Sequence, residues 1–429
     1  MKSTICTIAA YNYLHRAYIL SKSYLSFHPD GKVYIFIVGK KTKIQLFDKR
    51  IEVLFIEDLY IHRFIQMSFY YDIVELCTAI KPFIFEYLLK EKKVSSFVYF
   101  DPDIKLFFNI KKIFNFLKEY NFILTPHIYS KIENDSLFPD EKLFLNVGIF
   151  NLGFIGLKKS KQVLDFLGWW KSKLETQAFI KTEDGLFTDQ KWMDLLPVLQ
   201  SKVMILKEPQ YNLAFWNIHQ CKSLTKKKYT YYINSKPLNF VHFSDHNNFY
   251  EDSRIKSRLE NKKFIFLSEI YHDYLKEQNY ENTLVSYQRY DYEMFDNGMI
   301  VTKELRQFYF QYLNRYHDYK RNPWSTSDKG TFYKWLYLPI NSSSIIPNYL
   351  YMKYMYINNI TYFRDMPINE KKILHDLIFL DIHTEIEKGC MKQVMRDMRC
   401  RYPIYSLYLV KVLPILIILK KKILLRLFS

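Results

Sequence analysis

The segment Tyr99-Phe100-Asp101-Pro102-Asp103 ends an apolar run with two carboxylates one residue apart. In an extended chain this i, i+2 spacing points both side chains the same way. Two oxygen donors on one rim suit a hard divalent cation, Mg²⁺ or Mn²⁺. Such an ion commonly bridges a diphosphate and stabilises negative charge on a departing phosphate. A DxD recurs by chance, and a solvated strand-end turn is the plain alternative. The apolar run "SSFVYF" in front of it strengthens the metal reading.

Other residues could join that chemistry. Three of the ten glycines in 429 residues, Gly148, Gly153 and Gly156, crowd into "LNVGIFNLGFIGL". Glycine lets a ligand approach the backbone, and Asn151 beside them offers both a donor and an acceptor. A bulged, tightly packed strand is the plainer reading of the cluster. Asp189-Gln190 stands in "TEDGLFTDQKWMDLLP", where Asp is also a natural helix N-cap. Glu183 and Asp184 lie close by in the same segment. His242 ends the apolar run "NFVHF", where a lone His is more often structural. Asn212, Trp216 and Asn217 stand in "EPQYNLAFWNIHQ", where they line a pocket or simply pack a core.

These residues need elements to hold them. Strand-like runs ("STICTIAA", "KVYIFIVG", "IEVLFIEDL", "SSFVYFDPDI") alternate with helix-like ones ("YLHRAYILSKSYLSFH", "YDIVELCTAIKPFIFEYLLKEK"). Pro82 marks a helix start or a kink within the second of these. The alternation predicts an α/β sheet of parallel strands, with ligands beyond the strands' carboxyl ends. "NFILTPHI", "KLFLNVGIFNLGFIGLKKS", "KVMILKEPQYN" and "LNFVHFSDH" are read as further strands. Beyond about residue 250 the pattern is helical, Tyr-rich and strand-poor, starting with "SRIKSRLENKKF".

Composition bounds the rest. Hydrophobic residues make up 49% of the chain, which excludes a disordered protein. Five cysteines without CxxC spacing argue for a reducing cytoplasm and against disulfides or a zinc site. The net charge of +18 goes with a general excess of Lys, Ile, Phe, Tyr and Asn, which has the look of coding bias. Its informative part is the end of the chain, "YPIYSLYLVKVLPILIILKKKILLRLFS". Its apolar run is short and broken by Pro414, so it does not span a bilayer, but a basic amphipathic tail suits an anionic membrane surface.

Taken in order, these segments resemble the GT-A nucleotide-sugar glycosyltransferases, especially the family 8-like bacterial enzymes of polysaccharide and lipopolysaccharide synthesis. The resemblance covers roughly residues 1–250. It implies a Rossmann-like GT-A domain over 1–250, followed by a helical region over 255–400 that looks like the accessory domains of such bacterial enzymes, while the tail over 402–429 is read as membrane-associating from its own residues. Ala10-Tyr11-Asn12-Tyr13 is similar to the family loop that contacts base and ribose, which implies nucleotide roles for Ala10 and Asn12. Lys81 is implied at the diphosphate. Phe150-Asn151-Leu152-Gly153 matches an F-N-x-G segment lining the donor sugar, implying Asn151 and Gly153. Asp189-Gln190 matches the pair beside the reacting sugar carbon. Asp101, Asp103 and His242-Phe243 match the metal site. After His242 the family continues with a glycine and a Lys-Pro-Trp, where this chain has Ser244, Asp245 and His246.

The resulting expectation is a metal-dependent glycosyltransferase using Mn²⁺ or Mg²⁺ and a UDP-sugar-type donor. It would act on a glycan or lipid-linked acceptor of lipopolysaccharide, lipooligosaccharide or capsule, at the inner face of the cell membrane. Two alternatives compete: a basic nucleic-acid-binding protein, and a GT-A-like scaffold without activity. The first lacks any recognition motif, and intact Asp101 and Asp103 count against the second.

Overall fold

The computed structural model describes residues 3–44, 48–132, 139–244, 265–284, 290–342, 344–358 and 384–401. In chain order the strands that concern the site are β1 (Thr4–Ala10), β2 (Lys32–Val38), β3 (Ile51–Phe55), β4 (Ser96–Phe100), β5 (Ile104–Leu106), β6 (Phe122–Pro126), β7 (Phe150–Lys158), β8 (Val203–Ile205) and β9 (Phe240–His242). Seven form one sheet in the order β8-β6-β7-β4-β1-β2-β3, while β5 pairs with β9 in a two-stranded ribbon. The strand that delivers Asp101 is therefore the central one.

Both faces of this sheet are covered, which explains why all seven residues of β1 are buried. One face packs on α1 (Leu14–Phe27), where Leu14, Ala17, Leu20 and Tyr24 meet Ile5, Val33, Ile35, Val98 and Phe100. On the other face Phe85 packs its ring against Phe97, Tyr99 and Trp170.

The mixed α/β fold expected from the alternation is present, with one reversal. The other pairings in the main sheet are parallel, but β7 runs antiparallel to both β4 and β6. The chain reverses just before this strand. After α2 (Phe64–Tyr70), α3 (Ile73–Ala79), α4 (Lys81–Lys90) and α5 (Lys111–Glu119), the helix before β7 is α6 (Glu141–Val147), of seven residues. Gly148, at φ +117°, ends it and turns the chain straight back.

That helix also corrects an expectation. "KLFLNV" was read as part of a strand, and it is helical. Asp140 caps it, accepting from Leu143 N at 3.2 Å. Pro82 marks a start and not a kink: α3 stops at Ala79, and Pro82 sits in the first turn of α4. Asp72 and Glu75 cap α3 reciprocally.

The chain divides into two compact units, Met1–Glu293 and Met294–Ser429. The second is helical in its described residues, with helices over Lys303–Tyr316, Phe332–Tyr337, Asn348–Ile357 and Glu385–Arg401. Tyr309, Tyr312, Phe332 and Trp335 form its aromatic centre. Among the described residues no helix is long and apolar enough to cross a membrane. The expected boundary near 250–255 and the basic tail at 402–429 lie outside the described residues.

Candidate active site

The reversal of β7 brings two distant motifs together. Because β7 is antiparallel to β4, its beginning lies beside the end of β4, with Phe154 opposite Phe100. The ladder continues one step past the strand, where Asp101 N donates to Gly153 O at 2.8 Å. On the other side of the acidic pair, β5 pairs with β9 so that Ile104 faces His242. Phe243 N donates to Asp103 O at 2.9 Å. Backbone pairing alone thus places Asp101, Asp103 and His242 on one rim.

Their side chains converge. Ligand atoms of Asp101, Asp103 and His242 all lie within 4.8 Å of one another. His242 Nε2 is 3.2 Å from Asp103 Oδ1 and 4.0 Å from Asp101 Oδ2. Two hard oxygens and a borderline nitrogen fit Mn²⁺ or Mg²⁺. Asp101 and Asp103 keep side-chain exposures of 29% and 17%, so the cradle is open to a ligand, whereas His242 forms its buried floor.

Behind the cradle lies a closed ion-pair system. Lys81 Nζ is 3.0 Å from Asp189 Oδ2 and 3.5 Å from Asp101 Oδ1, and donates to Leu152 O at 2.9 Å. Its ammonium also sits over the Tyr99 ring, 4.7 Å from the centroid. The side chains of Lys81 and Asp189 are each only 2% exposed. Tyr99 donates its hydroxyl to Asp101 Oδ1 at 2.5 Å. Burial pushes that phenol well above its ordinary range, with the Asp101 charge adding to the effect, so it stays a donor.

The charges follow this arrangement. Burial works against the Lys81 ammonium, but Asp101 and Asp189 outweigh it and hold its pKa above the usual lysine value. Burial raises Asp189, with Lys81 opposing. Burial would raise Asp103 too, yet His242 and Arg16 bring it below the usual carboxylate value. Burial would lower His242, and Asp103 more than offsets that. Burial drives the Cys77 thiol up to about 12, helped by the Asp101 charge, which leaves no thiolate near the site at neutral pH.

The other expected residues stand at the following places. Gln190 is fully engaged: its Oε1 accepts from Leu152 N at 3.1 Å and its Nε2 donates to Val147 O at 2.9 Å. It clamps the end of α6 to the start of β7. Asn151 is buried, and Gly153 lies against the His242 ring. Ala10 ends β1, and Asn12 follows in a turn over Tyr11–Tyr13, on the same rim one strand from Asp101. Glu183 and Asp184 are exposed on a separate turn. Asn212, Trp216 and Asn217 are buried; Trp216 meets the His242 ring edge-on at 5.2 Å.

Sequence reasoning missed three participants. Tyr99 passed as an ordinary strand aromatic. Arg16, buried on α1, carries its charge toward Asp103, and its signal was a cation inside an apolar helix pattern. His127 follows β6 at the same rim, with a pKa lowered to about 4 by burial, and its Nε2 lies 3.2 Å from Asn151 Nδ2. Its signal was a histidine directly after a strand.

No protein-family model matches the chain. An uncharacterized protein, YfnF of Bacillus subtilis (strain 168), is 23% identical over 252 residues, which cover 57% of this chain and 82% of that one. YfnD of the same strain, also uncharacterized, is 28% identical over 173 residues, covering 40% and 53%. Among solved structures, the galactosyltransferase LgtC in complex with donor and acceptor sugar analogs is 15% identical, covering 59% of this chain and 95% of that one, at a TM-score of 0.38. The glycosyltransferase GlyE of Streptococcus pneumoniae TIGR4 is 14% identical, covering 69% and 67%, also at 0.38. Likenesses at this level leave the chemistry to be read from this chain's own side chains.

Proposed function

We propose that this chain is a metal-dependent glycosyltransferase of GT-A type. It moves a sugar from a nucleotide-diphosphate donor, such as a UDP-sugar, to a glycan acceptor. The observation that carries this reading is the convergence of Asp101, Asp103 and His242 at the carboxyl end of the central strand. A rim of this kind, beyond parallel strands, is where α/β sheets bind nucleotides.

Asp101, Asp103 and His242 hold Mn²⁺ or Mg²⁺. When bound, the ion supplies positive charge to the leaving diphosphate. This chain's residues do the rest. Ala10 and Asn12 border the nucleotide on the adjacent strand end. Tyr99 and Lys81 fix the rotamer of Asp101, each touching the same Oδ1, which leaves Oδ2 turned toward His242. Asp189 holds Lys81 from behind, and Gln190 locks the β7 start that forms the wall of the sugar pocket. Gly153 and Asn151 support that wall from within.

The acceptor belongs to a bacterial surface polysaccharide, lipid-linked or part of lipopolysaccharide, lipooligosaccharide or capsule. Basic and apolar residues in 402–429 support a seat on the inner, anionic face of the membrane.

Nucleotide release from a panel of sugar donors, with Mn²⁺ and with chelator, tests the reading. Wild type should release nucleotide only with metal, and Asp103→Ala should lose at least about 100-fold, as for loss of a principal charge stabiliser. Undiminished release by Asp103→Ala, or in chelator, would overturn the metal role.

A further inference from the structure

We infer that Asn151 is a positioning residue that decides which ring nitrogen of His242 faces the two aspartates. The inference deepens the proposed function and rests on its reading of Asp101, Asp103 and His242 as a metal cradle.

The orientation of the Asn151 amide follows from a backbone group. Gly153 N lies 3.2 Å from Asn151 Oδ1. A backbone N–H only donates, so the amide atom it meets is the oxygen. Asn212 Nδ2 donates to the same oxygen at 3.0 Å and is itself 2.9 Å from Thr125 Oγ1. His242 Nδ1 is the third group on that oxygen, at 3.1 Å. An acceptor oxygen there requires the proton on Nδ1. The neutral ring then presents the lone pair of Nε2 to Asp103 and Asp101. The other end of the amide meets His127 Nε2 at 3.2 Å, which fixes the amide plane from the opposite side.

Burial makes this arrangement strict. Asn151, Asn212, His127 and His242 are each 6% exposed or less, so no bulk water substitutes for these partners. Asn212 is carried in by a loop whose shape is itself held: Asn212 has φ +63°, and Asn217 Nδ2 donates to its carbonyl at 3.0 Å. Leu213 pairs with Val241, which ties the loop to β9 and hence to His242. Three donors meet the Asn151 oxygen, and one N–H of its nitrogen meets His127. The F-N-x-G segment serves the metal ligand from beneath.

Partners that orient a metal-binding imidazole typically change metal affinity by 10–100-fold when removed. Calorimetric titration of the full chain with Mn²⁺ reads this directly, without reference to turnover. Asn151→Ala should bind Mn²⁺ about 10–100-fold more weakly. Its melt in chelator should stay cooperative, while the melting shift produced by Mn²⁺ shrinks. Asn151→Asp keeps an oxygen at the shared position and should bind more tightly than Asn151→Ala. Asn212→Ala, which removes one of the three donors, should weaken binding by less. It also serves as the deciding variant if Asn151→Ala fails to fold. Wild-type Mn²⁺ affinity in folded Asn151→Ala and Asn212→Ala would overturn the inference alone. Wild type that binds no Mn²⁺ would overturn both the inference and the metal reading, whereas Mn²⁺ binding without any donor turnover would overturn the proposed reaction and leave the inference standing.

Discussion

Residue 153 has no side chain because the imidazole of His242 occupies that space. A Cβ on Gly153 would stand 2.7 Å from His242 Nδ1 and 2.9 Å from Asn151 Oδ1. The glycine persists for an internal contact between two elements, β7 and β9.

Gly153→Ala should therefore fold but lose function. The methyl group must displace a packed ring, and overpacking of this kind costs about 1–3 kcal/mol. The expected result is a lower melting temperature together with at least a tenfold loss of Mn²⁺ affinity. Gly156→Ala is the control, since its nearest neighbour would be the Ile123 side chain at 3.3 Å, away from His242. It should leave Mn²⁺ affinity unchanged.

Lys81→Met should be severe for a different reason. It leaves Asp189 buried without its counter-charge, and breaking a buried pair by one partner costs about 3–5 kcal/mol. Adding Asp189→Leu to Lys81→Met should recover part of that stability without restoring transfer. Urea unfolding of the two single variants and the double variant gives the coupling. Additive losses would show that the two residues do not act as a pair.

Gln190→Ala removes a side chain that bonds two backbone groups at once. One buried and one part-buried hydrogen bond of about 1 kcal/mol each are lost, and Leu152 N is left without that acceptor. Faster hydrogen exchange at Leu152 and Gly148, with the β1–β2 pairing unaffected, is the expected pattern. Uniform protection across the sheet would contradict the clamp.

Stability should fall in mild acid. Burial lowers His28 to about 4, with Lys111 adding to the effect, and His127 is likewise held at about 4. Both pKa values lie below the ordinary 6.5, so their contribution is complete above about pH 6.5 and is lost as pH falls toward 4. His28 Nε2 accepts from Ile110 N at 3.0 Å, which requires the unprotonated nitrogen and so favours the neutral ring. Urea midpoints at about pH 7 and about pH 5 should differ in wild type, and the difference should shrink in His28→Gln. An equal difference in that variant would remove His28 from the account.

The acidic rim was legible because an apolar strand-like run leads straight into two carboxylates one residue apart. The sheet was legible from the period of its strands. The heptad "EKLFLNV" was not: Leu143, Phe144 and Leu145 make a short apolar run that fits a strand or a helix equally. Only the Asp140 cap distinguishes them, and it was overlooked. The role of Asn151 was out of reach for another reason. Its partners His127, Asn212 and His242 come from three separate segments, and no spacing rule links them. Lys81 was found as a cation near the acids, but its saturation by Asp189, Asp101 and Leu152 O exists only in three dimensions.

The pairing of β5 with β9 also governs when the site can exist. Ile104 and His242 lie far apart in the chain, and contacts of that kind close late because the entropy of the intervening loop must first be overcome. During synthesis the main sheet can assemble through β8 while β9 is still unmade. A chain halted at that stage carries the two aspartates on a folded rim and nothing to complete them. The cradle of Asp101, Asp103 and His242 is therefore complete only once translation has passed residue 242.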